Sequence, residues 1–310
     1  MSDVLSGAAG SQPAVVVGGL RAHRSTGRVI ADYLELSKSR IVLMVLITTA
    51  AGYLFAAKHV DPLLMLHALI GTALVAAGTN ALNQYVERDL DAKMHRTRSR
   101  PLPAGRMTPR AALVFSTAIA ILGTLYLGIL VNWLTAALGA FTLTSYIFVY
   151  TPLKRVSTIC TLIGAIPGAI PPLMGWTAAT NALTLGGWIA FGILFLWQLP
   201  HFMAISWMYR EDYARGGFAM LSVRDENGAA VARQAIFYSL ALLGVSVLPS
   251  IFALTGVVYL IGAFAAGTAL LAFAIRFFFD RSVRNARSLF MISNLYLLTV
   301  MLLLVVNARS

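Results

Sequence analysis

The segment from Asn80 to Asp91, NALNQYVERDLD, places an amide and two carboxylates, Asn83, Glu87 and Asp91, four residues apart. On a helix this spacing stacks the three side chains within about 40° of one another, and Asn80 joins the same stripe. Hard oxygen donors in a row suit Mg²⁺, which takes one or two carboxylates and completes its shell with water and phosphate oxygens. Lys93, Arg96, Arg98, Arg100 and Arg106 follow at once. A solvated loop of self-paired charges is the bland alternative, and exposed pairs of that kind contribute little. Against it, the acids share one face and the cations outnumber them. A metal-bridged diphosphate would use that excess, with arginine forks on its oxygens. Asp89 points to another face and is expected to pair with Lys93 or Arg96. Arg100-Pro-Leu-Pro-Ala-Gly105 then ends the helix in a stiff turn.

A second mixed stretch, WQLPHFMAISWMYREDYARGG, runs from Trp197 to Gly217. If one helix carries it, His201, Asp212 and Arg215 return to nearly the same angle, while Arg210 and Glu211 point elsewhere. A smaller basic element, YTPLKR, spans Tyr150 to Arg155. His201 lies within an apolar run, where an ionisable group is a functional candidate by default. It is read as a substrate contact, narrowly ahead of plain packing. His67 is expected to pack, and His95 receives no role. The single cysteine, Cys160, excludes an intramolecular disulfide framework, and no Ser, Cys or His nucleophilic triad is evident.

Membrane helices must position these groups. Of 310 residues 58% are hydrophobic and 12% charged, about half the charged share of a soluble domain. The mean hydropathy is +0.77. The net charge of +12 is read as topology signals and anion contacts, not as nucleic-acid binding. Runs long enough to span a bilayer fall near 41–57, 63–82, 111–131, 133–151, 159–178, 185–206, 234–253, 257–275 and 288–306. They must be helices, because lipid offers the backbone no hydrogen-bond partner. The fifth contains Gly164, Pro167, Gly168, Pro171, Pro172 and Gly175 and is expected to break or kink. All of the 24 lysines and arginines except Lys58 and Arg309 fall on one side of this arrangement. The N-terminus is therefore expected in the cytosol. Residues 1–30, rich in Gly, Ala and Ser, are read as a disordered cytosolic arm, with a mitochondrial transit peptide as the alternative. Residues 31–310 form one transmembrane domain.

NQYVERDLD followed by RTRSRPLPAGR resembles the first acidic motif of the UbiA-type intramembrane prenyltransferases, and YTPLKR and the second loop match in order and position. The likeness covers residues 30 to 306 and implies an all-α bundle of about nine transmembrane helices. Within the superfamily, Glu87 at the middle acidic place, WQLPHF and MYREDYARGGF resemble the haem-farnesylating branch. Quinone-forming members, such as the 4-hydroxybenzoate polyprenyltransferases, are the alternative. They are expected to show Asp at the middle place and Asp-x-x-x-Asp in the second motif, where this chain has Tyr209 and Tyr213.

The resemblance implies that farnesyl diphosphate lies between the two loops, with haem b as acceptor and Mg²⁺ as cofactor. It assigns Asn83, Glu87 and Asp91, with Glu211 or Asp212, to metal, and Asn83, Glu87, Asp91 and Asp212 to catalysis. Asn80, Arg96, Arg100, Lys154, Arg155, His201, Tyr209, Arg210 and Arg215 are assigned to substrate. It further implies a bacterial inner membrane, or a mitochondrial inner one, and a downstream haem A synthase or assembling terminal oxidase. A transporter is disfavoured, since the expected spans contain no Asp, Glu, Lys or Arg.

Overall fold

The computed structural model describes residues 25–309, so residues 1–24 of the expected arm lie outside the described residues. From Thr26 the chain is helical, and no strand occurs among the described residues. The elements are α1 (Thr26–Leu36), α2 (Ser39–Ala56), α3 (Pro62–Asp91), α4 (Pro109–Leu130) and α5 (Trp133–Thr144). A π-helical stretch, Ser145–Tyr150, joins α5 to α6 (Thr151–Leu153). There follow α7 (Cys160–Thr180), α8 (Leu185–Met208), α9 (Arg210–Arg215), α10 (Leu221–Arg224), α11 (Ala229–Ser246), α12 (Leu248–Ile251), α13 (Val257–Phe279) and α14 (Val283–Val306). Nine segments among the described residues are long and apolar enough to cross a membrane, at the places expected.

Helix starts follow the local chemistry. Asp61 accepts from the backbone N–H groups of Leu63 and Leu64 at 2.9 and 3.1 Å, ahead of Pro62. Thr108 caps α4 in the same way, ahead of Pro109. A side-chain acceptor plus a proline at the first turn satisfies or removes orphan donors that lipid could not satisfy.

The fifth span does not break. α7 is one uninterrupted helix with three internal prolines, and it is the most enclosed of the nine spans. Its glycines serve close approach. A Cβ on Gly175 would collide with the backbone of Thr49, and one on Gly168 with the Gln198 amide. From the α2 side, Gly52 abuts the Pro172 carbonyl with the same lack of room. Neighbouring helices thus cover the backbone that proline exposes, which is the condition under which lipid tolerates it.

The apolar core has two main parts. One joins α8, α11, α13 and α14 through residues such as Ile193, Leu242, Leu270 and Leu297. The other joins α3, α4, α5 and α7 through Val75, Leu127, Ala136 and Leu173. Outside both, α1 is fastened to the end of α3. Gln84 Nε2 donates to the carbonyls of Glu35 and Leu36 at 3.1 and 2.7 Å. Arg106 pairs with Asp32 and with Glu35, the latter at 2.6 Å.

This packing gives a matched test. Gly175→Ala should lower the melting temperature in detergent, because α2 backbone must move, at a cost of about 1–3 kcal/mol. Gly244→Ala, with no atom within 4 Å of the new methyl, should leave it unchanged or slightly raised.

Candidate active site

At 1.5 Å per residue the 30 residues of α3 extend about 45 Å, against a hydrocarbon core of about 30 Å. The surplus turns bring the acidic stripe to one end of the bundle. The helix continues through Asp91, so the expected stripe forms, and it is turned inward. Asn83, Glu87 and Asp91 are 1, 6 and 1% exposed, whereas the Asp89 side chain is 82% exposed. Asp89 pairs with its neighbour Arg88 at 3.8 Å, not with Lys93 or Arg96, because the stripe and its partners lie on the opposite side of the helix.

A buried carboxylate costs several kcal/mol unless it is paired. Lys154 Nζ donates to Glu87 Oε1 at 2.7 Å, and Arg100 Nη1 to Asp91 Oδ2 at 2.6 Å. Lys38 Nζ donates to Asn83 Oδ1 at 3.0 Å, while Asn83 Nδ2 donates to Thr151 Oγ1 at 3.3 Å. Three cations from three separate segments therefore converge on one helical stripe. Lys154 also lies over the Tyr150 ring, 4.5 Å from its centre.

Lys38 has no place in the sequence reading. It occupies the tight junction between α1 and α2 in the left-handed region, at φ 53°, and its partner is 45 residues away. Burial, and then the charges of Arg100 and Lys154, bring its ammonium down to about 7, while Glu87 and Asp91 pull the other way. Its only sequence signal is a lysine immediately before an apolar span.

The donor set fits a magnesium ion. Two carboxylates and an amide oxygen share a buried stripe, and each now faces a cation whose charge a divalent ion can replace. Among the described residues no group of three or more His, Cys, Asp or Glu side chains forms a ready cage. Phosphate and water would complete the shell, as is usual for this ion.

The second loop is built differently from the expectation. α8 stops at Met208, and Tyr209, at φ −115° and ψ 23°, separates it from α9. No single helix carries His201, Asp212 and Arg215 on a shared face. Asp212 instead accepts from the backbone N–H groups of His95 and Arg96, at 3.0 and 3.2 Å, and from Arg215. Burial works against ionisation of this carboxyl, but Arg215 and the two N–H groups outweigh it and hold it below the usual carboxylate range. The Arg96 guanidinium lies over the rings of Tyr209 and Tyr213, 4.9 and 5.7 Å from their centres. Arg210 stacks on Trp207, and Arg155 and Glu211 are exposed. Two clusters result: Asn83, Glu87 and Asp91 with Lys38, Arg100 and Lys154, and Asp212, Tyr209 and Tyr213 with Arg96 and Arg215. Glu211 belongs to neither.

Beneath the charged end lies an apolar cavity of about 490 Å³ lined by α2, α3, α5, α7, α8 and α14. Asn80 of the α3 stripe lines it, and so does Tyr150, whose ring lies under Lys154, so the cavity adjoins the acid–base cluster. His201 is in the same wall. Its Nδ1 meets Ser293 Oγ at 2.9 Å, and its ring lies between Trp197 and Phe290, each 4.8 Å away. His67 bonds the Tyr126 hydroxyl at 2.7 Å, the packing role expected of it.

Residues 45–298 match the UbiA prenyltransferase family. A protein of Solibacter usitatus named protoheme IX farnesyltransferase is 47% identical over 276 residues, covering 86% of this chain and 94% of that protein. The human mitochondrial protein of that name is 40% identical over 89% of this chain and 61% of its own length. Among solved structures, a digeranylgeranylglyceryl phosphate synthase superposes with a TM-score of 0.75 at 20% identity, covering 90% of this chain and 98% of that one. A UbiA homologue from Archaeoglobus fulgidus, bound to GPP and Mg²⁺, superposes at 0.65 with 14% identity, covering 88% and 99%.

The buried pairs can be tested on the protein alone. Lys154→Met strands the Glu87 carboxylate and should cost about 3–5 kcal/mol of stability. Glu87→Gln combined with Lys154→Met should recover most of that loss, giving a large coupling in a double-mutant cycle read by thermal unfolding.

Proposed function

The chain belongs to the UbiA prenyltransferase family, and from that premise we propose that it transfers the farnesyl group of farnesyl diphosphate to a vinyl group of haem b. The products are haem O and diphosphate. The observation that carries this reading is the charged stripe of α3, closed over by three cations, at the mouth of an apolar cavity. That layout suits a substrate with a polyanionic head and a long apolar tail. The relatives' name supports haem as acceptor, and the aromatic wall around His201 gives a flat macrocycle a surface to stack on. Nothing in the cavity favours a 4-hydroxybenzoate-type acceptor over it.

In this reading Asn83, Glu87 and Asp91 would hold Mg²⁺, which when bound would supply positive charge to the diphosphate, and the diphosphate leaves with the bonding electron pair. Lys38, Lys154 and Arg100 are released from their partners to meet diphosphate oxygens as its negative charge grows. Arg96 adds a further cation from the adjoining loop. The cavity walls hold the farnesyl chain and keep bulk water from quenching the allylic cation before the vinyl carbon reaches it. Water then adds to the resulting cation and gives up a proton, which completes a hydroxyethylfarnesyl substituent.

Nine apolar helices make the protein an integral membrane protein. The reading places it in a bacterial inner membrane with the charged end in the cytosol. Its product passes to a haem-modifying enzyme or to an assembling haem–copper oxidase.

Mass spectrometry of haem extracted from cells expressing the chain should show a farnesylated species that is absent without it. A quinone-precursor enzyme would yield none. Asp91→Asn should abolish that product while the protein remains folded and inserted, and removal of Mg²⁺ by chelation should do the same. Lys38→Met should raise the KM for farnesyl diphosphate roughly tenfold or more, the size expected for losing a hydrogen bond to a charged group. Titration of initial rates checks that value.

A further inference from the structure

Arg96 is an exposed residue of a loop, yet it is held at both ends. Its backbone N–H donates to Asp212 Oδ2 at 3.2 Å, and the preceding N–H, of His95, donates to Oδ1 at 3.0 Å. Its guanidinium covers Tyr209 and Tyr213, and Nη2 reaches the Tyr213 hydroxyl at 3.5 Å. Tyr209, Asp212 and Tyr213 stand at i, i+3 and i+4, the spacing that puts side chains on one helical face. The Tyr213 N–H bonds the Tyr209 carbonyl at 3.0 Å, as a helical turn requires. Glu211 and Arg210 lie off that face.

This arrangement leaves the second loop poorly suited to a metal. A carboxylate has roughly four acceptor sites, and the Asp212 carboxylate already serves His95, Arg96 and Arg215. Among the described residues no group of three or more His, Cys, Asp or Glu gathers around it, and Glu211 is exposed. The same groups are well suited to fixing one arginine. A loop arginine ordinarily loses much rotational freedom when it grips a ligand, and holding it beforehand removes that cost.

The cradle is also tied to the acidic stripe. Tyr213 packs edge-on against Phe218, in the apolar cluster that contains Leu90, Tyr150 and Leu153. The Ala219 N–H donates to the Lys154 carbonyl at 2.7 Å, and Phe218 lies 5.8 Å from Lys154 Nζ. The residue that neutralises Glu87 is thereby attached to the loop that holds Arg96.

We propose that Tyr209, Asp212 and Tyr213 are positioning residues that hold Arg96 as a fixed cation for the diphosphate, where a second acidic motif would otherwise hold metal. The inference rests on the reading that the site takes a prenyl diphosphate, but its structural half does not need any substrate.

Two measurements test it on the full-length protein in detergent. Hydrogen exchange of the 93–98 segment, without ligand, should accelerate at His95 and Arg96 in Asp212→Ala and stay at wild-type rates in Glu211→Gln. The double variant Tyr209→Leu/Tyr213→Leu keeps the Asp212 anchor but frees the guanidinium. Its KM for farnesyl diphosphate should rise about tenfold, the order expected for losing two cation–π contacts, with kcat nearly unchanged. A purely structural role for the tyrosines would instead reduce kcat and leave KM alone, which would overturn the proposal. Wild-type exchange at His95 and Arg96 in Asp212→Ala would overturn it equally. If no farnesyl transfer is detected in the wild type, the functional reading fails, while the exchange result still decides whether Asp212 anchors the loop.

Discussion

Glu87 and Asp91 carry charge in a place that water barely reaches, at the end of a helix whose other turns are in lipid. A carboxylate there must have a cation within contact distance or give up its charge. The fold supplies Lys154 from the end of the fourth span and Arg100 from the loop after α3. Lys38, from the junction before α2, caps the same stripe at Asn83. Much of the rest follows from keeping these groups together. The loop after α3 must fold back on its own helix, α1 must be tied down by Gln84 and Arg106, and the 150–155 turn must be held against α3. On the proposed reading the same pairs can exchange partners when substrate binds. A divalent ion and a diphosphate together carry the two kinds of charge already present, so each buried acid can exchange one cationic partner for another without being left unpaired.

The membrane part of the bundle serves that end in two ways. α3 exceeds the bilayer thickness and so delivers the stripe to the boundary, where a water-soluble leaving group can depart. α7, threaded through the middle, has glycines where α2 and α8 press on its backbone. The same three helices line the cavity that Asn80 and His201 share, with Thr48, Gly168 and Gln198 in its wall. Charge at the mouth and apolar walls below are what a diphosphate with an isoprenoid tail requires of one site.

Most of the architecture was legible in the chain because it is written in local periodicity. Spans show as long apolar runs, and the stripe of Asn83, Glu87 and Asp91 shows as a four-residue repeat. What was not legible depends on tertiary contact. Proline and glycine in α7 read as the place of a break or a kink, and the helix runs unbroken where α2 and α8 pack against its backbone. Lys38 has no periodic relation to Asn83, and only the turn at φ 53° brings them together. Asp212 and Arg215 look like part of a continuous helix from α8, yet after the break at Tyr209 Asp212 meets the loop at His95 and Arg96, and Arg215 pairs with Asp212. In the second loop, the aromatic residues at positions that looked like departures from an acidic pattern lie against the Arg96 guanidinium.

On the proposed reading, magnesium binds the α3 stripe and displaces its resident cations. A structure solved with Mn²⁺ and a non-reactive farnesyl diphosphate analogue, using the anomalous signal of manganese, tests it directly. The account predicts manganese within coordination distance of Glu87 or Asp91, with Lys154 and Arg100 moved onto diphosphate oxygens and no peak at Asp212. Manganese bound at Asp212, with the Lys154–Glu87 and Arg100–Asp91 pairs intact, would contradict it.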